Sequence, residues 1–345
     1  MTLPEQAVDA DPLRGWQVDR DAITFVGSDL QRPECILAER DGTLWSADAR
    51  GGVMRIHPDG SQELVAQELD ARFAESSSAE RYTMGGTLPN GLAFAGNGDI
   101  VIANFGSCAV ERMTRDGRST TIATDVDGVP LGKTNFALVD SRDRIWFSVT
   151  TRLEPWTRSV NEKVPDGWVG LIDEHGIRLV ADGFVGTNEI RFDAREEWLY
   201  VVESNARRIS RLRARDDGSL TDREVYGPDD LGAVPDGCAF DVAGNLWIAL
   251  VNCDRLVALT PAGEVLTLLD DGDSEKVAVW DEHFLAGTMT SELLGLARGT
   301  LAPMMASVTF GGPDLRTVYL GSLMGTTIPS FRSPVPGLPL PGWER

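Results

Sequence analysis

Six times along the chain a strand-like run meets a polar or glycine-bearing turn and is followed by a second strand with an aromatic or aliphatic pair. The copies are CILAERDGTLWSAD, GLAFAGNGDIVIAN, FALVDSRDRIWFSV, EIRFDAREEWLYVVES, CAFDVAGNLWIAL and SVTFGGPDLRTVYLGS. Repetition on this scale restricts the fold to architectures in which a small unit buries its apolar face against its neighbours. Aligning Trp45, Val101, Trp146, Tyr200, Trp247 and Tyr319 gives intervals of 56, 45, 54, 47 and 72 residues by subtraction. Further hairpins lie between the copies, such as GVMRIHPDGSQELVA and RLVALTPAGEVLTLL, so each interval holds two hairpins, enough for four short strands.

The expected fold is therefore all-β: a six-bladed β-propeller of four-stranded antiparallel blades around a central channel. The uneven spacing disfavours a β-helix or paired sandwiches. One domain over 1–345 is expected, with an N-terminal extension at 1–25. A proline-rich tail at 331–345 is expected to run extended or to close against the first blade. No segment shows a sustained 3.6-residue apolar period of helix length. Two polar stretches, 67–86 and 150–170, break the rhythm and read as loops over one face of the propeller.

Composition narrows the chemistry. With three histidines in 345 residues, acid–base work must rest mainly on carboxylates. A formal charge of −21 repels nucleic-acid phosphates and anionic lipid, so neither nucleic acid nor membrane is an expected partner. Cys35, Cys108, Cys238 and Cys253 sit in apolar text without Cys-x-x-Cys spacing and read as reduced thiols. The N-terminus lacks the pattern of a signal peptide, and no apolar run reaches spanning length. A cytoplasmic monomer or small homo-oligomer acting on a small molecule is expected.

In a propeller the innermost strands line the channel, so residues at their starts converge although they are far apart in sequence. Reading those positions gives Glu34, Asn90, Asn135, Asn188-Glu189 and Asp236, oxygen donors in five of the six repeats. Two carboxylates with several amide carbonyls suit a hard divalent cation, Ca²⁺ first, with Zn²⁺ or Mn²⁺ as alternatives. Asn-Gly and Asp-Gly are also the ordinary turn dipeptides, and Asp41, Asp59, Asp116 and Asp217 are read as nothing more. Pattern alone leaves both readings open.

The same segments resemble the family of senescence marker protein (regucalcin) and gluconolactonases, which includes diisopropyl fluorophosphatase-like propellers. The resemblance runs from PECILAERDGTLWSAD through VPDGCAFDVAGNLWIAL to VTFGGPDLRTVYLGS, residues 33 to 322. It implies a metal-containing channel with Glu34, Asn135, Asn188 and Asp236 as ligands, and it sets Lys133 where some members carry a substrate-contacting arginine. It also implies a metal-dependent hydrolase opening a sugar lactone or a more hydrophobic one. The metal would polarise the carbonyl, with Asp236 as base or nucleophile. Lys133, Asn90 and Arg152 are the candidate substrate contacts. Trp156, Trp168, Phe105 and Phe184 are candidates for apolar walls at the channel mouth. The alternatives are an organophosphate hydrolase and a non-catalytic propeller plugged by its metal. Two departures stand out: the common Glu-Gly-Pro is here Glu34-Cys35-Ile36, and the common Asn-Asp is Asn135-Phe136.

Overall fold

A computed structural model describes residues 11–67, 71–81 and 86–343. Parts of three sequence-defined segments lie outside the described residues: 1–10 of the N-terminal extension, 68–70 and 82–85 of the 67–86 stretch, and 344–345 of the tail.

Six four-stranded antiparallel sheets form the propeller, five of them with their strands in chain order from the channel outward. Blade 1 is Ile36–Ala38, Leu44–Asp48, Gly52–Ile56 and Gln62–Ala66. Blade 2 is Pro89–Phe94, Ile100–Asn104, Ala109–Met113 and Ser119–Ala123. Blade 3 is Thr134–Val139, Ile145–Val149, Gly167–Asp173 and Gly176–Phe184. Blade 4 is Thr187–Phe192, Trp198–Glu203, Arg208–Ala214 and Leu220–Val225. Blade 5 is Pro235–Phe240, Leu246–Leu250, Arg255–Leu259 and Val265–Asp270. Blade 6 takes Met305–Gly311, Thr317–Ser322 and Ile328–Arg332 from the end of the chain. Its outer strand, Thr24–Val26, comes from the beginning, paired as Thr24 with Ser330 and Val26 with Ile328. That pairing closes the ring. The six aligned residues all fall on second strands.

Inner and second strands are buried almost throughout, as sheets covered on both faces must be. A carboxylate six residues before the tryptophan pins the first hairpin in three blades. Trp45 Nε1 donates to Glu39 at 2.6 Å, Trp146 Nε1 to Asp140 at 2.8 Å and Trp247 Nε1 to Asp241 at 3.0 Å. The indole can therefore be buried with its N–H satisfied. The tail crosses the molecule beside blades 5, 6 and 1: Leu338 N donates to Phe240 O, Gly337 N to Leu315 O and Arg40 N to Trp343 O.

The absence of helical periodicity misled in one place. Ser274–Ala286 is a 13-residue helix between blades 5 and 6, with Asp273 accepting from Lys276 N at its start and left-handed Gly287 at its end. It buries only Trp280 and Phe284, one turn apart, so its apolar stripe is too narrow to register as a period. The two polar stretches also hold short helices, at Ala71–Glu75, Ser78–Arg81 and Arg158–Glu162.

Candidate active site

Where the innermost strands begin, the ladder slips. Register shifts lie between Pro89 and Gly91, Thr134 and Phe136, Thr187 and Ile190, Pro235 and Cys238, and Met305 and Ser307. A bulge releases its residue from the ladder and re-aims the side chain. The residues so released include Asn90, Asn135, Asn188 and Asp236, while blade 6 offers Ala306. The glycines after Asn90 and Asp236 are not turn formers. A Cβ on Gly91 would lie 2.4 Å from Phe136 Cα, and one on Gly237 would lie 2.5 Å from Ala306 O. They permit neighbouring first strands to close on the channel, which decides against the turn reading at these two positions.

Glu34, Asn90, Asn135, Asn188 and Asp236 share one cavity of about 100 Å³. Asn90 is committed at both ends of its amide: Oδ1 accepts from Arg32, and Nδ2 donates to Glu34 Oε1 and to Asn135 O, both at 2.9 Å. It braces Glu34. Asn188 Nδ2 donates to Ser204 Oγ at 3.1 Å, and Ser204 Oγ donates to Pro235 O at 2.6 Å, which ties blade 4 to the strand bearing Asp236. After these bonds Glu34 Oε2, Asn135 Oδ1 and Asn188 Oδ1 are left buried without a hydrogen-bond partner among the described residues.

The electrostatics are equally incomplete. Burial lifts the Glu34 carboxyl to about 7 against the pull of Arg32 and the Asn90 hydrogen bond. Asp236 is raised well above the usual carboxylate range, by burial first and then by repulsion from Glu34 and Glu189. Glu189, which the sequence reading passed over as part of a dipeptide, is a third buried carboxylate. Burial raises it too, to about 7. Its Oε2 accepts from Cys238 N at 3.1 Å and from Arg191 at 3.0 Å, while Arg191 Nε donates to Cys238 O at 2.7 Å. Arg191 also lies over the Phe136 ring, 4.5 Å from its centroid.

Three carboxylates thus face two guanidinium groups, and Glu34 Oε2, Glu189 Oε1, Asn135 Oδ1 and Asn188 Oδ1 have no hydrogen-bond partner among the described residues. A divalent cation would answer both deficits, so the residues present fit such a group. Among the described residues no three His, Cys, Asp or Glu side chains by themselves form a metal cluster.

Above this polar floor the walls are apolar: Phe105, Trp156, Val160, Trp280, Phe284 and Leu294 all line the cavity. Phe105 and Trp156 meet edge-to-face at 5.5 Å, and Trp280 stacks on Phe284 at 5.0 Å. The 150–166 stretch and the 271–304 connection are latched together here. Asn161 Nδ2 donates to Met289 O at 3.0 Å, Met289 N donates back to Asn161 Oδ1 at 2.8 Å, and Lys163 Nζ donates to Phe284 O at 2.7 Å. Two of the expected wall residues lie elsewhere. Trp168 packs edge-to-face on Phe147 inside blade 3, and Phe184 is buried beneath Arg223, because both lie on the two outer strands of that blade. Trp280 and Phe284 take their place, on the helix that the sequence pattern concealed.

The candidate cations are not among the cavity-lining residues. Lys133 is buried, 3.5 Å from Glu154 and above the Phe105 ring. Arg152 is exposed, stacked on Trp168 and donating to Pro130 O. The three histidines lie away from the cavity too, as expected.

The profile of the SMP-30/gluconolactonase/LRE-like region matches residues 32–272, from just before Glu34 to just past blade 5. The chain belongs to the SMP-30/gluconolactonase family. Within reach of this family profile, a 6-deoxy-6-sulfogluconolactonase of Pseudomonas putida is 28% identical over 297 residues, covering 84% of this chain and 82% of the relative. Among solved structures, a gluconolactonase of Xanthomonas campestris superposes with a TM-score of 0.63 at 18% identity, covering 92% of this chain and 89% of the other. A calcium-binding regucalcin of Agrobacterium tumefaciens gives a TM-score of 0.63 at 14% identity, with 92% and 97% covered. At those identities the structural likeness speaks for the propeller alone, whereas the family membership is consistent with lactone hydrolysis.

Proposed function

We propose that this chain is a metal-dependent lactonase whose substrate carries an apolar substituent. The observation that carries the reading is the convergence of Glu34 Oε2, Asn135 Oδ1 and Asn188 Oδ1, all buried and unpartnered, beside Asp236 at the floor of one cavity. Glu34, Asn135, Asn188 and Asp236 would hold a single divalent cation, Ca²⁺ first by the hardness of an all-oxygen set, with Zn²⁺ or Mn²⁺ as alternatives. When bound, that cation would supply Lewis acidity toward the lactone carbonyl and balance the buried negative charge.

The remaining work falls to the chain. Asn90 and Arg32 keep Glu34 in place as a ligand. The neutral asparagines hold the site's charge low enough to admit a carbonyl compound. Asp236, ionised, accepts a proton as a water oxygen bonds to the carbonyl carbon, and returns it to the ring oxygen as the ester C–O bond breaks, giving the hydroxy acid. The aromatic walls exclude bulk water and offer an apolar surface to the substituent. Buried, unpaired Cys35 and Cys238 beside the site favour a reducing, cytoplasmic setting. No helix among the described residues is long and apolar enough to cross a membrane.

The test is turnover of a panel containing glucono-δ-lactone, δ-valerolactone and δ-decalactone, with and without calcium, beside diisopropyl fluorophosphate. Calcium-dependent opening of δ-decalactone in preference to gluconolactone is expected. Turnover of the phosphofluoridate alone would move the reading to organophosphate hydrolysis. A calcium-stabilised protein that opens no lactone would leave only a binding propeller.

A further inference from the structure

In two of the blades an asparagine at or just past the end of the second strand does the same structural job. In blade 2, Asn104 Oδ1 accepts from Leu88 N at 2.9 Å; in blade 5, Asn252 Oδ1 accepts from Val234 N at 2.8 Å. Each bond holds the residue two before the site residue, Asn90 or Asp236. The other end of the amide differs. Asn104 Nδ2 donates to Glu111 Oε2 at 3.1 Å. Asn252 Nδ2 is buried and has no acceptor, although the residue is only 3% exposed and lines the cavity together with Val234 and Val251. The amide cannot be turned to cure this, because its nitrogen would then face the Val234 N–H.

The cavity floor presents unpartnered acceptors, and a lactone without hydroxyls likewise offers only acceptors. Such a substrate needs a donor from the wall, and leaving a buried donor unmade is unfavourable in the empty fold. We infer that Asn252 is a substrate-binding residue whose amide hydrogens donate to an oxygen of the lactone. The inference rests on the proposed lactonase reading and names a contact that reading does not contain. With the oxygen held at Asn252, the substituent is left to the Trp280 and Phe284 side of the cavity.

Asn252→Asp tests it, since the carboxylate still accepts from Val234 N but cannot donate. Asn104→Asp is the counterpart, setting a carboxylate against Glu111 at a residue that does not line the cavity. Binding of the uncleavable lactam 6-pentyl-2-piperidone to the calcium-loaded protein is followed by tryptophan fluorescence, beside melting temperature and the KM for δ-decalactone. Asn252→Asp should weaken lactam binding and raise KM by about tenfold, with a smaller fall in melting temperature than Asn104→Asp. Asn104→Asp should lower the melting temperature and leave binding alone. Wild-type affinity and KM in Asn252→Asp would overturn the inference. So would a fall in its melting temperature as large as that of Asn104→Asp, because the amide hydrogens would then be engaged within the fold. Asn252-dependent lactam binding by a protein that opens no lactone would sink the lactonase reading and leave this contact standing.

Discussion

Buried carboxylates occur in two regions of this propeller, and their surroundings are opposite. At the first hairpin of blade 3, Asp140 accepts from Arg142 N, Arg144 N, Arg144 Nε and Trp146 Nε1, at 2.6 to 3.0 Å. Asp241 repeats the arrangement in blade 5 with Ala243 N, Asn245 N, Asn245 Nδ2 and Trp247 Nε1. In the channel, Glu34 and Glu189 each keep an oxygen with no partner, and at Asp236 burial and repulsion from Glu34 and Glu189 outweigh the pull of Arg32. Burial costs a carboxylate its hydration in both places, but only the hairpins repay it with donors. A saturated carboxylate is scaffolding; an unsaturated one is held ready for something the fold does not itself contain.

The sharpest way to break this contrast is to neutralise one member of each class. Asp236→Asn should lower lactone turnover by about 10³-fold. Its calcium-free melting temperature should hold or rise, since a neutral amide is easier to bury beside Glu34 and Glu189. Full activity in that variant would remove Asp236 from the chemistry. Single turnover in ¹⁸O water would then distinguish base from nucleophile, because only an acyl-aspartate leaves label in Asp236. Asp140→Asn should behave in reverse. It strands two donors, Arg144 Nε and Trp146 Nε1, and should cost about 3 kcal/mol in denaturant unfolding while the folded fraction keeps its activity. Equal outcomes for the two variants would erase the distinction.

Calcium provides the next measure. At a concentration about 100-fold above its dissociation constant it should stabilise the protein by about 3 kcal/mol in thermal melts. Glu34→Gln should abolish most of that shift, whereas Asp241→Asn should retain it.

The smallest effect belongs to a carboxylate of intermediate type. Asp173, at the outer end of blade 3, accepts two bonds from Arg178 at 2.8 Å, which hold its carboxyl down at about 2. Its folded value lies below the unfolded one, so the stabilisation is complete above pH 4 and is lost as pH falls toward 2. With Arg178 a third exposed, Asp173→Asn should remove only about 1 kcal/mol at pH 7 and nothing at pH 2, as read from urea midpoints. A pH-independent difference would show that the pair acts through packing.

Much of the site was legible because a propeller repeats. Matched positions at the starts of the first strands singled out Glu34, Asn90, Asn135, Asn188 and Asp236, and register shifts explain why the last four are released from the ladder. Glu189 escaped because a side chain beside a bulge can turn to either side, and its partner Arg191 is meaningful only once Cys238 from the next blade lies between them.

By itself the sequence determined the repeat and the blade count, and it singled out candidate oxygens at the starts of the inner strands. All of these follow from local periodicity and spacing. Tertiary structure alone decided which side chains remain unsatisfied. Asn104 and Asn252 are the same residue in the same local role, and they differ because Glu111 lies beside one amide and no acceptor lies beside the other. Trp168 and Trp280 are both buried, and only the second reaches the cavity. Hydrogen bonds and walls are made with partners distant in sequence, so their completion or absence is a property of the folded chain.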